Sequence, residues 1–285
     1  MQIIIMYTID SDEYNFERRL FMKLGFIGCG NMAGAMLGGI IENRTYKADE
    51  IIGADVYAPS REKAKEQYGI HVTAKNKEVV EKSDIVVLSI KPQYCEEVIR
   101  GIKDSVREEQ MFMTIIPGKT LEWLEAAFGK PVKIIRTMPN TPAMVKEGMT
   151  GVCSNAYVTA EDMQKAIAIL NGFGRAEQVP EKLMDIVTGV SGSSPAYVFL
   201  FIEAMADAAV AGGMPRDKAY QFAAQSVMGS AKLMLESGKH PGELKDMVCS
   251  PGGTTIGAVR VLEEKGFRSA VFEAVTEAAR IAKSS

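Results

Sequence analysis

The sequence has few of the side chains that bind metals or form disulfides, with only four cysteines and two histidines in 285 residues. The cysteines are far apart, at Cys29, Cys95, Cys153 and Cys249. They lack the close spacing of a zinc site or a redox pair, and neither His71 nor His240 has a second candidate ligand beside it. We therefore expect no protein-bound metal and a reducing, cytoplasmic environment.

The sequence also lacks a strong excess of charge and a clear membrane-spanning run. Its formal net charge is -3, with no long run of lysine or arginine, which argues against a nucleic-acid partner. The most apolar stretch, residues 25–41, is rich in glycine and contains Asn31, so it predicts a strand, a turn and a helix, and we expect no membrane partner. Residues 1–21 lack the features of a signal peptide and are predicted to form an N-terminal extension before Met22.

What is present is the composition of an ordinary globular protein, 47% hydrophobic and 24% charged, long enough for two domains. From Lys23 onward, short apolar runs alternate with amphipathic segments, a rhythm typical of an α/β fold with a parallel sheet. Helices are predicted from Asn31, from Ser60, over residues 93–104 and from Leu121. After Pro180 the strand signals stop. We predict a Rossmann-type dinucleotide-binding domain over residues 22–180 and an all-helical domain over residues 181–285.

The predicted helices of the second domain are apolar on more than one face. In the segment PAYVFLFIEAMADAAVAGG, small residues recur at four-residue spacing at Ala204, Ala208 and Gly212, which permits close helix approach. A domain of this size has few ways to cover such helices alone, so we expect pairing with a second subunit. The alternative is a self-contained helical bundle.

The segment GFIGCGNMAGAM places Gly28, Gly30 and Ala33 in a GxGxxA pattern between a predicted strand and a predicted helix. Gly28 allows a tight turn, Gly30 lets a pyrophosphate approach the backbone, and Ala33 lets the helix pack on the strand. Backbone amides at Gly30, Asn31 and Met32 can then bind phosphate at the helix N-terminus. The pattern predicts a dinucleotide site.

The sequence leaves the choice of dinucleotide open. Asp55 ends the second predicted strand, where it could bond the ribose diol of NAD and repel a 2'-phosphate. Ser60 and Arg61 open the next helix, where a hydroxyl, a guanidinium and backbone amides could hold the 2'-phosphate of NADP. The alternative interpretation of Ser60 is an ordinary helix cap.

Further candidate residues lie at the carboxyl ends of later strands and at two helix starts. Lys91 and Pro92 follow IVVLSI, Pro117 and Gly118 follow MFMTII, and residues 140–142 follow VKIIRTM. In the helical part, the segment CSPGGTTIGAV contains a glycine pair followed by Thr254 and Thr255, where backbone amides and hydroxyls could bind a carboxylate. The segment SGSSPAY is a second polar, glycine-containing helix start. Simple helix capping is the alternative for both.

The motifs GFIGCGNMAGAM, SIKPQ, RTMPNTP, VTGVSGSSPAYVF, HPGELKDMVCSPGGTTIGAV and GFRSAV, in this order, resemble those of the pyrroline-5-carboxylate reductases. The resemblance runs from about Met22 to the C-terminus. It implies reduction of 1-pyrroline-5-carboxylate to L-proline with NADPH, NADH being the other possibility. It also implies a helical dimerisation domain that pairs two subunits, and in many members the assembly of such dimers into a decamer.

The resemblance also implies site residues, carried over position by position. Cofactor contacts would fall in the first domain, at Cys29, Asn31, Met32, Asp55, Asn76, Ile90 and Lys91. With the residues of the motifs and strand ends described above, the candidate cofactor site also includes Gly28, Gly30, Ala33, Ser60, Arg61, Ser89, Pro92, Pro117 and Gly118. Substrate contacts would fall at Glu181, Ser191, Gly192, Ser193, Ser194, Ser250, Gly252, Gly253, Thr254 and Thr255. Asp55 stands where some members have serine, Pro117 replaces a small residue, and Met247 replaces Asn or Gln.

Thr255 is the candidate catalytic residue, because its hydroxyl could bond or help protonate the ring nitrogen of the imine. Two other functions share parts of the pattern. A beta-hydroxyacid dehydrogenase has the same opening motif but relies on a lysine in the leading helix of its second domain, and no convincing lysine follows Ser191. A non-catalytic dinucleotide-binding sensor could have the same fold.

Overall fold

The computed structural model describes residues 22–283, so the predicted extension over residues 1–21 lies outside the described residues. Contacts divide the chain into two compact units. The first unit runs to Val187 and also takes in the residues from Ala282 onward, and the second unit is Thr188–Ile281. The domain boundary that we placed at residue 180 stays a prediction.

The first unit is built on a twisted sheet of eight strands in the order β3-β2-β1-β4-β5-β6-β7-β8. The strands are β1 (Met22–Ile27), β2 (Ile51–Ala54), β3 (His71–Thr73), β4 (Ser83–Leu88), β5 (Met111–Thr114), β6 (Lys133–Met138), β7 (Gly148–Ser154) and β8 (Gly174–Gln178). All neighbours are parallel except β6 and β7. The expectation of a parallel sheet is therefore wrong at this pair. Only a short turn, Thr141–Val145, lies between the two strands, which is too little chain for a crossover helix.

Helices cover both faces of this sheet. They are α1 (Asn31–Glu42), α2 (Ala58–Tyr68), α3 (Asn76–Lys82), α4 (Cys95–Ile102), α5 (Leu121–Phe128), α6 (Ala160–Leu170) and the short α7 (Met184–Val187). The starts predicted at Asn31 and Leu121 agree with the structure. Helix α2 starts at Ala58 instead of Ser60, because Pro59 is favourable in a first helical turn. The helix predicted over residues 93–104 is shorter and is flanked by 3-10 turns at Pro92–Tyr94 and Lys103–Ser105.

Two apolar layers hold the first unit together, one on each face of the sheet. Alternate residues of the central strands point to opposite layers, so that Phe26 packs with α1 and α6 while Ile27 packs with α3, α4 and α5. Strands β2 and β5 are buried along their whole length. Such continuous apolar burial is what helices on both faces of a parallel sheet require. It fixes the carboxyl ends of β1, β2 and β4 side by side.

The second unit is helical. It contains a π-helical turn, Thr188–Gly192, and helices α8 (Ser194–Ala211), α9 (Arg216–Ser237), α10 (Pro241–Val248), α11 (Thr254–Glu264) and α12 (Phe267–Lys283), the last extending beyond the unit's final residue. Helices α8 and α9 pack together, and Ala206, Ala219 and Ala223 on these helices are buried. Ala204 and Ala208 of the predicted small-residue stripe are exposed instead. The close approach that the stripe permits is therefore not used within the chain.

Large apolar side chains cover much of the surface of the second unit. Phe199 is 64% exposed, Leu200 68%, Phe222 67% and Phe272 73%. The helical stretch Glu181–Ala211 is the one run within residues 22–283 that is long and apolar enough to cross a membrane, and only 6% of its apolar window is buried. A helix that pairs with another subunit meets the same criteria. The absence of a membrane partner stays a prediction.

Candidate dinucleotide and substrate site

Gly28 makes the tight turn that the GxGxxA pattern predicts. Its φ of +97° lies in the region that favours glycine, and a Cβ at this position would be 2.1 Å from the carbonyl oxygen of Ser89. Its amide donates to the carbonyl of Ala54 at 2.7 Å, and the amide of Ser89 donates to that of Ile27 at 2.8 Å. Gly28 thus lets the turn after β1 lie directly against the ends of β2 and β4.

Gly30 has a different role, because the packing of the protein does not require a glycine there. Its φ is -73°, and a Cβ would meet no atom within 4 Å. Gly30 is the N-cap of α1, which has no side-chain cap and no acidic residue in its first turn. The amides of Asn31 and Met32 therefore face an open cradle that a side chain at Gly30 would fill. This arrangement fits the pyrophosphate of a dinucleotide.

Asp55 follows β2 directly, and both of its carboxylate oxygens accept backbone hydrogen bonds. Oδ2 accepts from the amide of Cys29 at 2.8 Å, and Oδ1 accepts from the amide of Tyr57 at 2.9 Å. Behind it, the Arg61 guanidinium donates to the carbonyl oxygens of Asp55 at 2.6 Å and Val56 at 3.2 Å. The carboxylate and the guanidinium are therefore held within the loop between β2 and α2.

The start of α2 offers fewer backbone donors than the sequence led us to expect. Its N-cap is Tyr57, with no side-chain cap, so the interpretation of Ser60 as the cap is wrong. The amides of Ser60 and Arg61 bond to the carbonyl of Tyr57, at 3.1 and 3.4 Å, and Pro59 has no amide hydrogen. Any 2'-phosphate held here would depend mainly on the side chains of Ser60 and Arg61.

A cleft of about 780 Å³ lies at the carboxyl ends of β1, β2 and β4. Of the predicted cofactor residues, it is lined by Gly28, Gly30, Asp55, Asn76, Ser89, Ile90 and Lys91. Pro92 opens the 3-10 turn beside it, and Ala33 is fully buried under the glycine-rich turn. The structure brings these residues together as predicted from their strand-end positions.

Lys75 and Lys77 also line this cleft and were not predicted from the sequence. Together with Lys91 they outnumber the two acidic residues of the lining, Asp55 and Glu97, and the excess of positive charge suits a ligand that carries phosphate charges. The signal for them was weak, because a pair of lysines at the start of the short helix α3 is also typical of a solvated helix end.

Pro117 and Gly118 lie in the loop after β5, separate from the residues that line the cleft. Gly118 has a φ of +75°, and the amide of Ile116 donates to Thr114 Oγ1 at 3.1 Å, so the loop turns sharply away from the strand. A structural turn accounts for both residues. Their contact with the cofactor stays a prediction.

Glu181 makes two polar contacts within the first unit. Its Oε1 accepts from the amide of Leu121 at 2.7 Å and from Nη1 of Arg136 at 2.9 Å. The Arg136 side chain is only 8% exposed and that of Glu181 is 33% exposed. Glu181 therefore fixes the start of α5 and balances a buried charge. Arg136 was missed by the sequence interpretation, although an arginine inside the apolar run VKIIRTM indicates a buried ion pair.

In the second unit, the glycine pair forms the turn that starts α11. Gly252 has a φ of +67°, and Gly253 is the N-cap, its amide donating to the carbonyl of Ser250 at 3.0 Å. A Cβ on Gly253 would lie 2.3 Å from Ser250 Oγ, whereas one on Gly252 would meet nothing within 4 Å. Thr254 and Thr255 are the first two residues of this uncapped helix. Hydroxyls and amides thus share one helix N-terminus, as a carboxylate site requires.

The second polar helix start, the segment SGSSPAY, joins the π-helical turn to α8. The amide of Ser193 donates to the carbonyl of Thr188 at 2.8 Å, the five-residue spacing of a π-turn. Gly189 packs on α12, where a Cβ would lie 2.5 Å from the carbonyl oxygen of Val275. Ser191, Gly192, Ser193 and Ser194 are partly exposed at this turn. Their substrate contacts stay a prediction.

The thiol in the glycine-rich turn is buried. Burial, assisted by the nearby charge of Asp55, raises the pKa of Cys29 to about 12. Its Sγ lies 3.6 Å from the carbonyl oxygen of Ala54, and a Cβ on Gly53 would come within 2.8 Å of it. Within residues 22–283, no group of three or more histidine, cysteine or carboxylate side chains could hold a metal ion.

Two sequence families match the chain. The family described as pyrroline-5-carboxylate reductase dimerisation matches residues 181–285, and the family described as NADP oxidoreductase, coenzyme F420-dependent, matches residues 23–118. The pyrroline-5-carboxylate reductase of Escherichia coli strain K12 is 54% identical over 258 residues, which cover 90% of this chain and 95% of the relative. The chain belongs to the pyrroline-5-carboxylate reductase family.

Solved structures of the family agree. The pyrroline-5-carboxylate reductase of Coxiella burnetii is 34% identical, with a TM-score of 0.87 over 92% of this chain and 98% of that one. The Plasmodium falciparum pyrroline carboxylate reductase, solved with NADP bound, is 33% identical, with a TM-score of 0.84 over 92% of this chain and 97% of that one.

These comparisons confirm the predicted family, the Rossmann-type fold with a helical dimerisation domain, and the class of NAD(P)H-dependent oxidoreductases. They confirm pyrroline-5-carboxylate reduction as the family's activity over the two alternative functions. The roles of single residues stay predictions.

Proposed function

We propose that this chain reduces 1-pyrroline-5-carboxylate to L-proline with NADPH, in the last step of proline biosynthesis. The observation that carries the proposal is the open helix N-terminus at Gly30, beside a lysine-lined cleft, in a member of this reductase family. When bound, NADPH would supply a hydride to the imine carbon. The ring nitrogen takes up a proton, and the C=N bond becomes the C–N bond of the product.

The first unit would hold the cofactor through backbone and side chains together. The amides of Asn31 and Met32 would bind the pyrophosphate, with Gly30 leaving room for it. Ser60 and Arg61 would hold a 2'-phosphate, which favours NADPH over NADH. The loop from Ser89 to Pro92 would lie beside the ribose next to the pyrophosphate.

The second unit would hold the substrate carboxylate at the start of α11. The turn at Gly252 and Gly253 leaves the amides of Thr254 and Thr255 without a side-chain cap, and both threonines add a hydroxyl. An anion at this position also gains from the helix dipole. Ser250 and the turn at residues 191–194, which belong to the same unit, would add further substrate contacts.

Thr255 would bond the ring nitrogen or help to protonate it. An imine of this type is readily protonated in water, so the residue need only position the nitrogen and does not have to be a strong acid. Thr255→Ala should lower kcat/KM about tenfold or more, whereas the matched variant Thr255→Ser keeps the hydroxyl and should retain most activity. Full activity with an unchanged KM in Thr255→Ala would contradict the role.

The activity is tested by following NADPH absorbance at fixed enzyme while 1-pyrroline-5-carboxylate is added. Turnover distinguishes an enzyme from a sensor that only binds the dinucleotide, and proline should accumulate in proportion to NADPH consumed. The same assay with NADH gives the cofactor preference as a ratio of kcat/KM values. A preference for NADH would remove Ser60 and Arg61 from the proposed site.

The proposed working form is a homodimer paired through the helices of the second unit, in the cytoplasm, with a decamer as its higher assembly. The support is the match of residues 181–285 to the dimerisation family and the exposed apolar helices of that region. Sedimentation at several protein concentrations tests the assembly. A monomer at micromolar concentration would contradict it.

A further inference from the structure

The carboxylate of Asp55 connects the two loops that flank the dinucleotide cleft. The amide on Oδ2 belongs to Cys29, inside the glycine-rich turn, and the amide on Oδ1 belongs to Tyr57, the N-cap of α2. Cys29 is 26 residues from Asp55 in the chain, so this contact is a tertiary one. One side chain thus sets the distance between the turn after β1 and the loop after β2.

The same loop is braced from a second direction. Arg61 donates to the carbonyl oxygens of Asp55 and Val56, and the amide of Gly28 donates to the carbonyl of Ala54. The backbone on both sides of Asp55 is therefore fixed at several points. The bonds of the carboxylate and of the guanidinium involve a charged group, so they are stronger than the neutral backbone bond from Gly28.

This geometry is unlike that of an acidic residue that selects NAD. Such a residue presents its oxygens to the two ribose hydroxyls and repels a 2'-phosphate by its charge. Here each oxygen already accepts an amide of the chain, and the two amide dipoles offset part of the negative charge. The side chain contributes to the shape of the site before any ligand is bound.

We infer that Asp55 is a positioning residue for the dinucleotide site, which supports the binding of NADPH and NADH alike and does not discriminate between them. The inference rests on the proposed function, because it concerns the same cofactor site. Its physical basis is preorganisation: a turn held in the bound geometry avoids the cost of ordering when the pyrophosphate binds. Loss of the carboxylate would release Cys29 and Tyr57 together.

The test compares Asp55→Ala and Asp55→Asn with the wild-type full chain. The measurements are the dissociation constants of NADPH and NADH by titration calorimetry, KM and kcat for both cofactors, and Tm. Asp55→Ala should weaken both dinucleotides about tenfold, the factor that 1.4 kcal/mol represents, with the ratio of the two affinities unchanged within about twofold. Asp55→Asn keeps one acceptor oxygen and should fall between Asp55→Ala and the wild type. The KM for 1-pyrroline-5-carboxylate should not change.

Glu50→Ala is the matched control, at the opposite end of the same strand. Glu50 also accepts a backbone amide, that of Lys47 at 2.9 Å, and pairs with Lys23 at 2.7 Å, but it lies outside the residues that line the cleft. The Glu50→Ala variant should have a lower Tm and unchanged dissociation constants for NADPH and NADH. This separates a loss of positioning at the site from a general loss of stability.

Three results would overturn the inference. A gain in NADPH affinity relative to NADH in Asp55→Ala would make the residue a selector of NAD. Unchanged binding of both dinucleotides, or an equal loss of binding in Glu50→Ala, would remove the positioning role while leaving the proposed function intact. Failure of the wild-type protein to bind either dinucleotide would overturn the proposed function and the role of Asp55 with it.

Discussion

Oε1 of Glu181 lies 2.9 Å from Nη1 of Arg136, and the same oxygen accepts a hydrogen bond from the backbone amide of Leu121 at 2.7 Å. The arginine is on β6 and its side chain is almost fully buried. Because an unpaired buried guanidinium is costly, this contact gives Glu181 a structural role that is independent of any ligand.

Glu181→Gln should lower the free energy of unfolding by about 2 kcal/mol, less than the roughly 3 to 5 kcal/mol of a fully buried pair because Glu181 is partly exposed. Urea denaturation measures the change. The control is Glu236→Gln, which breaks an exposed 3.7 Å pair with Lys232 and should have an effect below about 0.5 kcal/mol. A rise in the substrate KM without loss of stability would instead support substrate binding as the main role of Glu181.

Gly28→Ala and Gly30→Ala should separate folding from cofactor binding. The Cβ at Gly28 meets the Ser89 carbonyl at 2.1 Å and requires an unfavourable φ, so that variant should lose about 3 kcal/mol or more of stability. The Cβ at Gly30 meets no protein atom, so that variant should keep the wild-type Tm and bind NADPH about tenfold more weakly. Thermal unfolding and titration calorimetry measure the two effects. Wild-type NADPH affinity in Gly30→Ala would argue against a pyrophosphate beside this residue.

The three buried thiols should resist alkylation in the native protein. Burial raises the pKa of Cys29 to about 12, and those of Cys95 and Cys153 to about 11. At pH 8 the thiolate fraction of Cys29 would be about 1 in 10,000, against about a tenth for a thiol with the ordinary pKa of 9.0. Mass spectrometry after iodoacetamide treatment should find these thiols unmodified in the native state and modified in urea. Rapid native labelling of Cys29 would contradict its burial.

The same shifts predict the direction of a pH effect on stability. These groups keep their protons in the folded state and lose them more easily when unfolded, so their contribution is fully present below the ordinary value of 9.0. It is lost as the pH rises from about 9 through 11 to 12. Urea denaturation at pH 8 and pH 10 should show a lower free energy of unfolding at the higher pH. Replacing Cys153 by alanine should reduce that difference.

Phe199→Glu should weaken the proposed dimer, because it places a charge on an exposed apolar face of α8. Tyr157→Glu, at an exposed aromatic residue of the first unit, is the control and should leave the assembly unchanged. Analytical ultracentrifugation measures the molecular mass of both. An unchanged dimer in Phe199→Glu would exclude this position from the interface.

Much of the fold follows from patterns local in the sequence. The alternation after Lys23 predicted β1, β2, β4, β5 and β6 and four of the helices that follow strands, but not β3, α3 or α6. The glycine-rich turn was placed correctly, and Gly28 has a direct steric reason for being glycine. Strand β8 was not predicted, since GRAEQ is a polar, mostly exposed edge strand without an apolar pattern. The antiparallel β7 was also missed, because its direction depends on the length of the turn before it and not on its own residues.

The site was predicted less fully, because several of its contacts join residues far apart in the chain. Asp55 looked like a ribose-binding acid from its position after β2, but its hydrogen bond to Cys29, 26 residues away, forms only in the folded chain. Glu181 is 45 residues from Arg136, and no periodicity connects the two. The alanines that pack between α8 and α9 differ from the stripe that the four-residue spacing suggested, because a helix with small residues on several faces does not specify which face a given partner uses.

The apolar surface of the second unit would make protein concentration a third variable of this protein's stability, besides temperature and pH. In the proposed dimer, exposed side chains such as Phe222 and Phe272 would gain burial from the other chain, so part of the free energy of folding would arise from association. For such a protein the melting temperature rises with the amount present. In a cell the rate of synthesis would then help to decide what fraction of the chains is folded.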